Sequence, residues 1–142
     1  MNYIEFKDVV KEYKLGEHTI KAIDGTNFVI DEGELVVIVG PSGAGKTTAL
    51  NLLGGMDKVS SGSIISGGED ISKYSKKQLT LYRRNDIGFV FQFYNLVPNL
   101  TALENVELAS QIRKKHLNPK KTLEQVGLKE RMNNFPSQLS GG

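Results

Sequence analysis

The pattern Gly40-x-x-x-x-Gly45-Lys46-Thr47, set between the apolar run "LVVIV" (Leu35–Val39) and a stretch that reads as a helix, restricts this chain more than any other feature. Glycines without a Cβ let successive backbone N–H groups, here those of Gly40, Ser42, Gly43, Ala44 and Gly45, curl around an anion. The first turn of the following helix adds unpaired N–H groups and the positive end of its dipole. The run before the loop is almost wholly β-branched and apolar on both faces, as a buried parallel strand should be. Strand, glycine-rich loop and helix, in that order, are the context a phosphate-binding loop requires. Lys46 is then placed to bridge β- and γ-phosphate oxygens, and the Thr47 hydroxyl to ligate Mg²⁺. Thr48 is placed to bond the α-phosphate. The pattern predicts a nucleoside triphosphate site.

Composition narrows what kind of protein carries this loop. A chain of 142 residues is the size of one domain. A formal charge of +2, with scattered basic residues, gives no footprint for nucleic acid. The basic pairs Lys76-Lys77, Arg83-Arg84 and Lys114-Lys115 fit solvated helix faces. The sequence holds no cysteine, which removes disulfides, thiol nucleophiles and cysteine metal sites. Leu35–Val39, its longest apolar run, is far short of a membrane span. The opening "MNYIEFKDVVKEY" mixes both charges and does not read as a signal peptide. These features predict a soluble intracellular protein.

The remaining elements follow from local signals. Residues 2–30 are β-rich with loose alternation, and "DEGE" (Asp31–Glu34) is a turn into the apolar run. A helix is predicted from about Gly45 to Leu53, with Leu50, Leu52 and Leu53 inward and Gly54-Gly55 ending it. "SGSIISGGEDI" reads as strand and turn. Ser75-x-x-Gln78 and Thr101-x-x-Glu104 fit capping boxes, and Asn118-Pro119 places a cap before a proline at the first helical position. "IGFVFQ" (Ile87–Gln92) is a second buried-strand candidate. A β-rich entry, a strand–loop–helix unit and a mostly helical second half predict an α/β fold with an added helical region.

The phosphate loop alone does not separate transport ATPases, GTPases, kinases and motor proteins. The chain holds no Asn-Lys-x-Asp, which weakens the GTPase reading. Gln92 closes the second strand candidate, and "LSGG" (Leu139–Gly142) follows well after it. Phosphate loop, strand-ending glutamine and Leu-Ser-Gly-Gly together resemble the nucleotide-binding domain of ABC (ATP-binding cassette) transporters. "GPSGAGKTT", "IGFVFQFYNLVPNLTALENVEL" and "FPSQLSGG" look like the branch serving lipoprotein release and macrolide or antimicrobial-peptide export. Thr47 stands where many relatives carry serine, and either hydroxyl can reach Mg²⁺.

The resemblance implies a phosphate-loop NTPase fold with an N-terminal antiparallel β region and a helical subdomain. In this reading residues 1–91 hold the β region, phosphate loop and core strands, and 92–142 the glutamine loop and the helical subdomain up to the signature. It implies ATP and Mg²⁺ as cofactors. Tyr13 falls where the family stacks an aromatic ring on adenine, with a cross-strand packing tyrosine as the lesser rival reading. Gln92 resembles the glutamine that touches Mg²⁺ and the attacking water. Ser140, Gly141 and Gly142 resemble the signature loop that contacts the γ-phosphate held by a facing cassette. Phe93, Tyr94, Leu96, Val97 and Leu100 match a groove for a membrane partner's coupling helix, with core packing as the rival reading. The implied partners are a second cassette, forming a homodimer, and an integral membrane permease, with no nucleic acid. The implied location is cytoplasmic, peripheral on the inner face of the cell membrane.

Complete family members continue past the signature to an aspartate–glutamate strand and a switch histidine. His18 and His116 precede the signature, so neither matches that histidine, and both read as surface residues. The family fold also sets two later strands between the phosphate-loop strand and the glutamine strand. The expectation is therefore a piece of a longer protein, lacking part of the core sheet and folding poorly or self-associating on its own. An ATPase subunit of an exporter leads. A nucleotide-binding module without turnover is the alternative, and a soluble ABC protein acting on ribosomes or DNA is a third.

Overall fold

β1 (Asn2–Leu15) and β2 (His18–Asp31) form an antiparallel hairpin that begins the chain, closed by a two-residue turn at Gly16 and Glu17. The coordinates come from a computed structural model that describes residues 2–91 and 93–140. In β1 the inward positions are Ile4 and Phe6, then Val9 and Lys11. The change of phase falls at Asp8, whose φ of 47° sits at a register shift in the pairing with β2. Asn27 holds this bulge from across the ladder, accepting from the Asp8 N–H and donating to the Asp8 carboxylate, both at 2.8 Å. The bulge returns an apolar side chain to the core face without shifting the rest of the strand outward.

β3 (Ser61–Ser66) pairs with the other edge of β1, and the short β4 (Glu69–Asp70) completes the sheet in the order β2-β1-β3-β4, antiparallel throughout. Helices α1 (Lys46–Leu53) and α2 (Lys76–Asn85) supply Leu52 and Tyr82 to a core shared with Ile4, Phe6, Val9, Ile23, Ile64 and Ile71. Phe6 stacks on Phe28 with ring centroids 4.2 Å apart. The Tyr82 hydroxyl donates to the Leu53 carbonyl at 3.0 Å and has the Ser66 hydroxyl as a second partner at 3.0 Å, so even the polar end of this side chain is satisfied.

The chain divides into two compact units, Met1–Gly88 and Phe89–Gly142, and the sheet, α1 and α2 all belong to the first. The second unit contains α3 (Ala102–Ser110), α4 (Pro119–Gln125) and two single 3-10 turns at Lys129–Arg131 and Pro136–Gln138. Ala102 and Leu123 are its buried apolar residues. Ala102 and Leu103 at the start of α3 donate to the carbonyls of Asn134 and Met132 at 2.8 and 2.9 Å, which fastens the returning chain to that helix end.

The helix-start signals are realised. Ser75 with Gln78 and Thr101 with Glu104 form reciprocal capping boxes, and the Asn118 side chain accepts from the Lys121 N–H ahead of Pro119. The Thr101 N–H and hydroxyl bonds hold the Glu104 carboxyl below its ordinary value. His18 and His116 are exposed, as expected.

Two expected strands are corrected. Leu35–Val39 is neither a strand nor buried, with Leu35 95% and Val39 83% exposed. Residues 87–91 also lack strand pairing, and Val90 is fully exposed. A strand exists only where another strand takes up its N–H and C=O groups. Among the described residues every ladder lies in the antiparallel sheet, which offers these runs no neighbour. Leu50, expected inward, is half exposed for the same reason. With Phe28, Ile30, Val36, Val37, Ile38 and Leu53 it lines an apolar hollow of about 480 Å³. Leu52 is buried, Leu53 half-buried, and Gly54-Gly55 follows the helix as predicted.

Candidate functional site

The glycine-rich loop leads into α1 through Gly45, which is the N-cap at φ 82° and offers no side chain to the helix end. A Cβ on Gly45 would collide with the carbonyl oxygen of Ala22 in β2, closer than real Cβ atoms approach backbone. Glycine is therefore required twice here, by the left-handed conformation and by the contact with the sheet. The first bond of the helix runs from the Ala49 N–H to the Gly45 carbonyl at 2.8 Å. The amides of Lys46, Thr47 and Thr48 precede it and point out of the helix start. No acidic residue lies in this first turn to compete for them.

Lys46 reaches back across the loop. Its ammonium donates to the carbonyls of Gly40 at 2.8 Å and Pro41 at 2.6 Å, which sets a full positive charge over the curled backbone. A concavity of about 250 Å³ results, lined by Ala22, Ser42, Gly43, Ala44, Gly45, Lys46, Thr47 and Thr48. Unpaired amides at the helix start, a helix dipole and one lysine give this concavity the chemistry to accept an anion such as a phosphate group.

Tyr13 lies in the same unit and is 40% exposed. Its hydroxyl donates to the Asp57 carboxylate at 2.9 Å. Asp57 also accepts from the Lys11 ammonium at 2.7 Å, and that ammonium sits 4.9 Å from the centroid of the Tyr13 ring. Burial raises the Tyr13 phenol above its ordinary value, the bond and charge of Asp57 add to the rise, and a hydrogen bond with Thr48 opposes it. Burial also pushes the Asp57 carboxyl up. The bonds from Lys11, the Lys58 N–H and Tyr13 outweigh that and hold it below the usual carboxylate range. Tyr13 is thus tied through Asp57 to the chain after α1.

Among the other predicted site residues, Ser140 lies in the second unit, past the 3-10 turn Pro136–Gln138, and is exposed. Gln92, Gly141 and Gly142 fall outside the described residues. In the proposed groove, Phe93, Tyr94 and Leu96 are exposed, whereas Val97 and Leu100 are half-buried. Asn105 of α3 organises this stretch: its side chain accepts from the Val97 N–H at 2.8 Å and donates to the carbonyls of Val97, Leu100 and Thr101 at 3.0–3.1 Å. No sequence signal marks Asn105 for this role. Lys11 and Asp57 were missed as well, although a lysine on the inward side of a strand needs an anion.

An α/β unit that presents a glycine cradle at the start of a helix is a phosphate-loop nucleotide-binding fold. The family described as ABC transporter matches residues 23–142 of the sequence. The chain belongs to the ABC transporter family. It is 45% identical over 144 residues to an uncharacterized ABC transporter ATP-binding protein of Thermotoga maritima, covering 98% of this chain and 62% of that protein. It is 43% identical over 150 residues to the lipoprotein-releasing system ATP-binding protein LolD 2 of Chlorobaculum tepidum, covering 98% of this chain and 61% of that one. Among solved structures, a dimeric post-hydrolysis state of the ATP-binding cassette MJ0796 bound to ADP and Pi superimposes with a TM-score of 0.85 at 41% identity. That match covers 97% of this chain and 63% of the cassette, so the chain spans about three fifths of the length of these proteins. Among the described residues no helix is long and apolar enough to cross a membrane.

Proposed function

We propose that this chain binds Mg-ATP at Gly40–Thr48 and that the intact protein is the ATPase subunit of an ABC exporter. The observation that carries the reading is the uncapped start of α1, with Lys46 held over the loop carbonyls. Amides of Gly40–Gly45 and the first turn of α1 take the β- and γ-phosphates, Lys46 bridges them, and Thr48 bonds the α-phosphate. Tyr13 stacks on adenine. Thr47 offers Mg²⁺ a hard oxygen ligand, and no group of three or more His, Cys, Asp or Glu among the described residues is arranged to hold a metal. Thr47 and Gln92 are the residues that would hold the ion beside a bound nucleotide. When bound, the ion offsets charge on the β- and γ-phosphates.

Gln92 positions the attacking water, and Ser140, Gly141 and Gly142 reach the ATP of a facing cassette. The dimeric form of the MJ0796 cassette supports a second copy of the chain as that partner. Relatives named as parts of lipoprotein-releasing systems support the export branch and a membrane permease, with the subunit on the cytoplasmic face of the cell membrane. Exposed Phe93, Tyr94 and Leu96 are offered as the surface for that permease.

The test is Lys46→Ala in the intact protein. Loss of a charge-assisted phosphate contact weakens Mg-ATP binding about tenfold to a hundredfold. Unchanged affinity by titration calorimetry sinks the site assignment. Binding without turnover is the second reading, and phosphate release measured alongside Mg-ATP binding distinguishes the two.

A further inference from the structure

Among the described residues of the first unit, Lys11 is a buried charged side chain, only 9% exposed. Burying an ammonium is costly unless it is fully partnered. Here it donates to the Asp57 carboxylate at 2.7 Å and the Lys58 carbonyl at 2.8 Å. The same ammonium lies over one face of the Tyr13 ring, 4.9 Å from its centroid. The other Asp57 oxygen accepts from the Tyr13 hydroxyl at 2.9 Å. Asp57 in turn is held to the end of α1, its N–H and that of Met56 donating to the Asn51 carbonyl at 3.4 and 2.8 Å.

These contacts make a closed circuit: ammonium to carboxylate, carboxylate to phenol, phenol ring back to ammonium. A salt bridge serving stability alone has no need of the ring. We propose that Lys11 and Asp57 are positioning residues for nucleotide binding, a brace that fixes the Tyr13 ring with one face covered by the cation and the other offered to a purine. The inference rests on the reading of Tyr13 as the base-stacking residue. A pinned hydroxyl leaves the ring one orientation, so little rotamer freedom is lost when a base settles on it. The cation behind the ring also polarises the π-system that the base meets.

The experiment compares ATP with inorganic tripolyphosphate, each with Mg²⁺, by titration calorimetry on the intact protein. Tripolyphosphate fills the cradle and lacks a base. Tyr13→Ala is expected to weaken ATP about tenfold, the loss of one base–aromatic stack. Lys11→Met and Asp57→Asn are expected to weaken ATP about three- to fivefold. Lys11→Arg restores ATP affinity, since a guanidinium keeps the charge, the carboxylate contact and the stacking. Tripolyphosphate affinity stays at the wild-type value in all four variants. Asp57 is part exposed, so Asp57→Asn carries the test even where Lys11→Met does not fold. If Tyr13→Ala lowers the ratio of ATP to tripolyphosphate affinity while Lys11→Met and Asp57→Asn leave it unchanged, the brace is wrong and base stacking stands. If those two variants weaken both ligands equally, they act on the fold and the brace is again overturned. An unchanged ratio in Tyr13→Ala overturns the stacking reading and the brace with it.

Discussion

β1 and Leu35–Val39 are both rich in strand-forming residues, and they meet opposite fates. β1 is amphipathic, and it has β2 on one edge, joined by the turn at Gly16 and Glu17, and β3 on the other, which arrives after the glycine-rich loop and α1. Leu35–Val39 is the more apolar of the two and lies open to solvent. Hydrophobicity drives a segment out of water, but hydrogen-bonded neighbours decide whether it becomes a strand. An antiparallel neighbour can be supplied by a short turn, as β2 is, whereas a parallel one needs a long crossover.

Hydrogen exchange gives the sharpest way to break this comparison. Amides of Ile4, Phe6 and Ile64 should be protected at least about a thousandfold more than those of Val36–Val39, since core ladders open only with sub-global unfolding. Equal protection in the 142-residue chain would mean that the apolar run has found a partner, for example in a second copy. Next in size is a pair of truncations. Phe6→Ala should cost about 3–5 kcal/mol by removing a fully buried ring stacked on Phe28. Val37→Ala, 74% exposed, should stay within about 0.5 kcal/mol in urea denaturation.

The smallest effect concerns Asp57. Its folded carboxyl titrates below the usual range, so its contribution is fully present above the unfolded value, about pH 4, and is lost as pH falls through the lower folded value. Because Asp57 is part exposed, solvent screening leaves a few tenths of a kcal/mol, about the scale of a surface pair. The melting temperature of Asp57→Asn should therefore converge on that of the wild type below about pH 4. A gap that stays constant down to pH 2 would remove the charge from the explanation.

Much of the geometry of the glycine-rich loop was legible because its causes are local. Gly45 has to be glycine, Lys46 is next to it, and the helix start follows within the same few residues. The capping boxes at Ser75 and Thr101 were readable for the same reason. The two buried strands were misread because the motif tells what Leu35–Val39 and Ile87–Phe91 are suited to, and nothing local says where their neighbours are. The inward side of Leu50 went wrong with them, since it faces that apolar run. Lys11 and Asp57 were invisible because their work is done across a long sequence distance, whereas Asn105 acts within eight residues of itself and simply carries no motif. Asp57 meets Lys11 and Tyr13 only after β2, the phosphate loop and α1 have been laid down between them.

The contact of Gly45 with the Ala22 carbonyl has a practical side. It makes β2 a ruler: Tyr13 pairs with Ile20, two residues before the carbonyl against which the loop rests. Adding or deleting a residue between Ile20 and Ala22 would slide Tyr13 against the glycine-rich loop, the two ends of the nucleotide site proposed above. The hairpin tip at Gly16 and Glu17 lies on the far side of that ruler, fully in solvent. A fluorescent reporter or affinity tag attached there would ride on the same strands as the site and leave its spacing untouched.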